Sequence, residues 1–118
     1  MKTNELRIGN YLFAKGTEVI RFTSFFGLCN IESYPERYTP IPLNEEWLLK
    51  FGFNIKERIW FSKKTNIAWI RFEVSIKDKR CILFNTKKFE FCDILFPKYV
   101  HQLQNLYFAL TGEELAIK

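Results

Sequence analysis

The sequence predicts an α+β fold: an N-terminal β hairpin, a short capped helix, a four-stranded antiparallel meander and a C-terminal helix packed on the sheet. Three observations support this prediction. Apolar and polar residues alternate over most of residues 53 to 95, helix-capping residues surround residues 44 to 52, and helical spacing returns at residues 98 to 110. With 118 residues, 47% of them hydrophobic, the chain has the size and composition of a single globular domain.

The first 42 residues are expected to be the β-rich N-terminal part of this domain. Residues 6 to 14 and 18 to 26 have strand character and are separated by Lys15-Gly16-Thr17, which is typical of a hairpin turn. A short strand is expected at residues 28 to 32. The following segment, residues 34 to 42, contains three of the four prolines and predicts an extended, irregular crossing.

Residues 43 to 118 are expected to be the α+β part. Asn44 can cap the first free amides of a helix, and Gly52 suits the left-handed residue that ends one. In the meander, residues 53 to 61 are predicted to be the first strand. In the C-terminal helix an apolar stripe is expected to pack on the sheet, while His101 and Gln104 are expected on the polar side.

Several functional classes have little support in the sequence. No uninterrupted apolar run exceeds five residues, whereas a membrane span needs about 20. Because the first residues also lack an apolar signal-peptide core, we expect a cytoplasmic protein with no membrane partner. The three cysteines, Cys29, Cys81 and Cys92, lie in no C-x-x-C pair, which favours reduced, mostly buried thiols over disulfides or a zinc site.

Catalysis is also poorly supported. His101 is the single histidine, and no phosphate-binding loop, dinucleotide fingerprint or hydrolase motif accompanies it. A histidine needs a positioned partner before it can act as a general base. We therefore predict a non-enzymatic protein with no catalytic residue, metal or cofactor.

Positive charge is concentrated in the middle of the chain. The formal net charge is +5, and residues 53 to 100 hold eleven basic against five acidic side chains, whereas residues 1 to 52 hold six of each. Such a local positive field favours nucleic acid, a nucleotide or an acidic protein as partner. Lysine-rich turns that protect sheet edges would produce the same pattern. Alternate turns of a meander lie at the same end of the sheet, which would gather Lys63, Lys64, Lys87 and Lys88 there.

The first meander hairpin carries the predicted ligand patch. If residues 63 to 66 form a four-residue loop, Trp60 lies opposite Trp69 and Arg58 opposite Arg71. Directly opposed like charges are unfavourable in a sheet, so an anion between the arginines would explain their pairing. Aromatic stacking surfaces beside guanidinium groups suit single-stranded nucleic acid or a nucleotide. The predicted ligand-binding residues are Lys56, Arg58, Trp60, Trp69 and Arg71.

Two alternatives remain open. In the first, the N-terminal strands or the proline segment cover the tryptophans, and arginine stems pack across the rings. In the second, the protein is a protein-interaction module or a homo-oligomer that uses its surplus aromatic surface, since the chain contains 13 Phe, 5 Tyr and 3 Trp.

Three stretches of the chain resemble a family of small uncharacterised proteins encoded by phages and integrated elements of anaerobic gut bacteria. The stretches are residues 4 to 10 (NELRIGN), 40 to 53 (PIPLNEEWLLKFGF) and 98 to 115 (KYVHQLQNLYFALTGEEL). Residues 54 to 97 match only in β-rich character. The resemblance implies a phage or mobile-element setting and an SH3-like N-terminal barrel, here at most a partial one. It assigns no activity, but it makes a host signalling nucleotide or a host defence protein a conceivable partner.

Overall fold

The computed structural model describes residues 5 to 57 and 59 to 117, without the side chains of residues 25, 26 and 28. An N-terminal sheet has the strand order β2-β1-β3 and contains β1 (Tyr11–Ala14), β2 (Glu18–Arg21) and β3 (Tyr38–Thr39). A second, antiparallel sheet contains β4 (Asn54–Glu57), β5 (Trp60–Lys64), β6 (Ile70–Ser75), β7 (Arg80–Asn85) and β8 (Glu90–Ile94) in sequence order. The helices are α1 (Phe25–Ser33), α2 (Glu45–Lys50) and α3 (Val100–Thr111). The predicted α+β class is confirmed, and the N-terminal sheet does not close into a barrel.

The N-terminal part contains the predicted hairpin together with a helix that was not predicted. Strands β1 and β2 pair from Tyr11 with Arg21 to Ala14 with Glu18. The prediction of a strand at residues 28 to 32 is wrong, because α1 occupies this segment. Ser24, a residue type favoured before a helix, precedes α1 in an extended conformation. The helix was not predicted because the aromatic residues around Ser24 favour a strand.

Helix α2 forms as predicted, because its signals are local. The Asn44 side chain accepts a hydrogen bond of 3.0 Å from the Trp47 amide. Gly52 follows the helix with φ +88°, in the left-handed region expected of the residue that ends it. Trp47 and Leu48 are buried, so α2 contributes its apolar side to the main core.

The meander has five strands instead of the predicted four. Residues 53 to 61 do not form one strand, because the chain reverses between β4 and β5 and brings Asn54 opposite Ser62. The register is irregular between Ile55 and Glu57. Residues 57 to 60 include no Gly, Pro, Asn or Asp, so no turn signal marks this reversal.

Helix α3 packs on one face of the five-stranded sheet, as predicted. Phe72 and Val74 of β6 share a buried cluster with Leu103 and Tyr107 of α3. The Phe72 and Tyr107 rings are 5.4 Å apart between centroids. Gly112, at φ +75°, ends the helix.

The prediction that His101 and Gln104 lie on a polar side of α3 is wrong, since both residues are fully buried. The N-terminal segment covers this side of the helix. Gln104 Nε2 donates to the Gly9 carbonyl at 2.8 Å and to the Leu115 carbonyl at 3.1 Å, while Gln104 Oε1 accepts from the Tyr11 amide at 2.9 Å. Gln104 is therefore a buried connector between α3 and both ends of the chain.

Candidate functional site

The two faces of the five-stranded sheet differ in their surroundings. Helices α2 and α3 pack on the face formed by residues such as Phe61, Phe72 and Val74. Residues that alternate with these lie on the opposite side, which we call the open face. From the strand registers, the open face includes Trp60, Ser62, Lys64, Arg71, Glu73, Ser75, Arg80, Ile82, Phe84, Phe91 and Asp93.

A basic cleft of about 500 Å³ lies at the β4 side of the sheet. Its charged residues are all cationic, so an anion entering the cleft would meet no lining carboxylate. Lys56 comes from β4, Lys64 from β5 and Arg71 from β6. The lining residues are Gly52, Asn54, Ile55, Lys56, Ser62, Lys63, Lys64 and Arg71.

Lys64 and Arg71 are directly opposite each other in the β5–β6 register. Like charges in this position repel each other and destabilise the strand pair. Within the described chain, no carboxylate forms an ion pair with either side chain. The pair is therefore a place where a bound anion would relieve repulsion instead of displacing an existing partner.

An aromatic cleft of about 220 Å³ adjoins the basic cleft and shares Lys56 with it. Trp60, Phe84 and Phe91 contribute aromatic surface, and Ile82 lies among them. The lining also contains both signs of charge. The full set is Lys56, Glu57, Trp60, Glu73, Arg80, Ile82, Phe84 and Phe91.

Ion pairs hold the cations of the aromatic cleft in position. Lys56 Nζ lies 2.9 Å from Glu73 Oε2, and Glu73 is nearly fully buried. Arg80 bonds to Asp93 at 2.9 Å, and its guanidinium carbon lies 5.6 Å from the centre of the Trp60 ring system. These cations are largely neutralised by their partners, so the net positive charge of the open face comes chiefly from the basic cleft.

The predicted pairing of Trp60 with Trp69 is wrong. The β5–β6 register brings Phe61 opposite Val74, which puts Trp60 next to Ser75 and Arg80. Residues 65 to 69 form a longer turn than the four-residue loop assumed. Thr65 stabilises this turn, since its hydroxyl lies 2.9 Å from the Ile70 carbonyl and its amide donates to the same carbonyl at 3.3 Å.

The pairing of Arg58 with Arg71 is also wrong, because the residue opposite Arg71 is Lys64. Arg58 itself lies outside the described residues. The structure nonetheless brings Lys56 and Arg71 together in the basic cleft and contains Trp60 in the aromatic cleft. A like-charge pair is present, but Arg71 pairs with Lys64 instead of the predicted Arg58.

Trp69 lies at the far end of the sheet and is 47% exposed. Its carbonyl accepts from the Thr86 amide at 2.8 Å, which joins the β5–β6 turn to the β7–β8 turn. Lys87 Nζ lies 5.6 Å from the centre of the Trp69 rings. The expectation that these two turns lie at the same end of the sheet is thus confirmed.

Neither cleft is lined by a described residue of the first 42. Trp60 is therefore not seen to be covered by the N-terminal segment, although an arginine does pack over it, as that alternative expected, and Trp69 is exposed. The site residues that sequence reasoning missed include Lys64, Arg80, Phe84 and Phe91. The alternation of residues 80, 82 and 84 contained the signal, but only the five-stranded register brings these side chains to one face.

Other reactive groups lie away from the open face. Burial raises the pKa of the Cys81 thiol to about 12, which makes it a poor nucleophile at neutral pH. Cys92 is exposed, so the expectation of mostly buried thiols does not hold for it. Across residues 5 to 57 and 59 to 117, the structure contains no group of three or more His, Cys, Asp or Glu side chains arranged to hold a metal.

Comparisons with protein-family models, curated proteins and solved structures find no match for this chain. No helix of the described residues has the length and apolar character needed to cross a membrane.

Proposed function

We propose that the protein is a non-enzymatic binding module for an anionic ligand, and that this ligand is single-stranded nucleic acid lying along the open face. The observation that carries the proposal is the opposed pair of Lys64 and Arg71, which lines a basic cleft and has no carboxylate partner among residues 5 to 57 and 59 to 117. A phosphate group between these cations would remove their repulsion and form charge-assisted hydrogen bonds.

The aromatic cleft supplies the second requirement for this ligand. Nucleobases stack on aromatic side chains whatever the sequence, and each stacked base contributes about 1–3 kcal/mol. Trp60 and Phe91 flank Arg80, at 5.6 and 5.9 Å from its guanidinium carbon. A base would enter this cleft while its phosphate lies in the adjoining basic cleft, because Lys56 lines both.

The extent of the surface favours an oligonucleotide over a mononucleotide. Trp60 is next to Ser75 at one end of β6, and Trp69 precedes the other end. At a rise of about 3.3 Å per residue, these positions are about 20 Å apart. A single nucleotide cannot contact both tryptophans, whereas a short strand can follow the cations between them.

The test is to titrate a labelled oligothymidylate with the protein at low salt and to follow its fluorescence anisotropy. A length of about 12 nucleotides lies within the range that single-strand-binding domains occupy. We expect Lys64→Gln and Trp60→Leu to weaken binding at least several-fold. Trp60→Phe retains an aromatic ring and should bind much more tightly than Trp60→Leu. Lys15→Asn removes one charge from the N-terminal hairpin turn and should leave binding unchanged.

Each outcome of this titration bears on the proposal. Absence of binding at low salt, or equal weakening by Lys15→Asn and Lys64→Gln, would overturn it. If a mononucleotide competes as effectively as the oligonucleotide, the ligand is a nucleotide and the single-strand assignment fails while the anion site stands. In the phage or mobile-element setting implied by the resemblance, a nucleotide ligand would favour sequestration of a host signal in a defence pathway.

A further inference from the structure

The outer edge of β8 is exposed, and large apolar side chains lie on it beside two carboxylates, Glu90 and Asp93. All strand residues from Glu90 to Asp93 are exposed, and the flanking Phe89 and Leu95 are 83% and 89% exposed. Phe91 adds a further exposed ring. Strand β8 is the last strand of the sheet, so the backbone groups on its outer side have no strand partner within the sheet.

This edge lacks most of the features that normally prevent edge-to-edge pairing. Proteins protect edge strands with charged side chains, above all lysines, and with prolines, bulges or short length. The opposite edge, β4, has an irregular register between Ile55 and Glu57 and contains Lys56. Residues 89 to 96 contain neither Lys nor Pro, and of their two carboxylates Asp93 is already paired with Arg80. Of the two edges of this sheet, β8 is therefore the less protected against pairing with another strand.

Phe89 provides an independent indication that this surface has a use. Its backbone has φ +54°, in the left-handed region where glycine or asparagine is normally found and a bulky residue is an outlier. Because the ring is largely exposed, its packing within the chain does not offset this backbone cost. A contact outside the chain would explain an aromatic residue at this position.

We propose that a second copy of this chain pairs with β8, antiparallel, about a two-fold axis at Cys92. In this register Phe89 lies opposite Leu95 of the other copy, so the two most exposed apolar residues of the edge cover each other. Axes at Glu90 or Asp93 would put identical carboxylates opposite each other, which disfavours those registers. The resulting interface is isologous, as in most homodimers.

The pairing would extend the sheet without covering either binding face. With the two-fold axis perpendicular to the sheet, the open faces of both copies lie on the same side. The interface does not depend on the proposed ligand and is expected to form in its absence. Because the shared edge is short, we expect reversible association that increases with protein concentration.

The test uses the oligomeric state of Cys92 variants in sedimentation equilibrium. Cys92→Ser should dimerise like the wild type. Cys92→Lys and Cys92→Glu should each be monomeric, because each brings like charges together at the axis. Mixing these two variants should restore a dimer, which a folding defect could not produce. A short bismaleimide should link wild-type chains through Cys92 and should fail with Cys92→Ser.

Phe89 supplies a second readout. Phe89→Gly should weaken the dimer at least several-fold and raise the melting temperature of the diluted monomer. The proposal is overturned if the wild type remains monomeric at the highest soluble concentration. It is also overturned if the mixed Lys and Glu variants fail to associate while wild type does. If Phe89→Gly loses oligonucleotide binding but has the same oligomeric state as the wild type, the ring serves the ligand and the dimer proposal fails.

Discussion

Lys64 and Arg71 lie opposite each other on neighbouring antiparallel strands, with no carboxylate of the described chain paired to either. This arrangement lowers the stability of the free protein, since opposed cations repel each other. It also creates the most strongly positive part of the open face. Stability and anion binding should therefore respond in opposite directions when this pair is changed.

Lys64→Glu tests this relationship. The substitution replaces repulsion by attraction across the strands, so we expect the free energy of unfolding to rise by a few tenths to about 1 kcal/mol. Oligonucleotide binding should fall by at least ten-fold, because a carboxylate now faces the phosphate. Urea unfolding and anisotropy measure the two effects. A less stable variant that still binds would contradict the assignment.

Gln104→Leu tests the buried connector between α3 and the N-terminal segment. The change leaves the Tyr11 amide and the Gly9 carbonyl buried without their side-chain partner. We expect a loss of at least about 2 kcal/mol in the free energy of unfolding. The matched control is Gln102→Leu, which removes only the side chain that caps the start of α3 and should cost about 1 kcal/mol.

His101 predicts a pH dependence of stability. Burial lowers the pKa of its imidazole below the ordinary value of 6.5, although Glu5, 3.6 Å away, acts in the opposite direction. Between the folded-state pKa and 6.5, the unfolded chain binds more protons, so stability present above pH 6.5 is lost as the pH falls. His101→Leu should show a flatter profile between about pH 7 and 5 in urea unfolding. Parallel profiles would show that other groups control the acid response.

Phe89→Gly tests the cost of the left-handed backbone at φ +54°. Glycine adopts this conformation readily, so we expect the monomer to gain about 1 kcal/mol relative to a residue with a Cβ atom. Phe89→Ala removes the ring but retains the Cβ and should not show the gain. Thermal unfolding of dilute samples measures the difference. Equal stability of the Gly and Ala variants would mean that the backbone is not strained at this position.

The parts of the fold that the sequence predicts correctly depend on local signals. Asn44 and Gly52 cap α2 through residues within a few positions of each other, and Gly112 ends α3 in the same way. The burial of Gln104 could not be predicted from helical spacing, because it depends on contacts with Gly9 and Tyr11 more than ninety residues away.

For the candidate site, the sequence predicts which residues share a face better than it predicts which residues pair across the strands. The face that carries Trp60 and Arg71 follows from alternation along each strand. Which residues face each other across β5 and β6 depends on the turn at residues 65 to 69. Thr65 stabilises this turn, and the turn contains no glycine or proline that would signal its length. The β4–β5 reversal was missed for the same reason. Turn length, which sets register, was thus the least predictable feature.

The most direct test of the central claim is the salt dependence of oligonucleotide affinity for the wild type and Arg71→Gln. For single strands, the slope of log affinity against log salt is about −0.7 for each phosphate contact. We predict a steep wild-type slope that becomes shallower by about 0.7 in Arg71→Gln. An affinity that does not change with salt, or an identical slope in the two proteins, would contradict the proposal that the open face binds phosphate through Lys64 and Arg71.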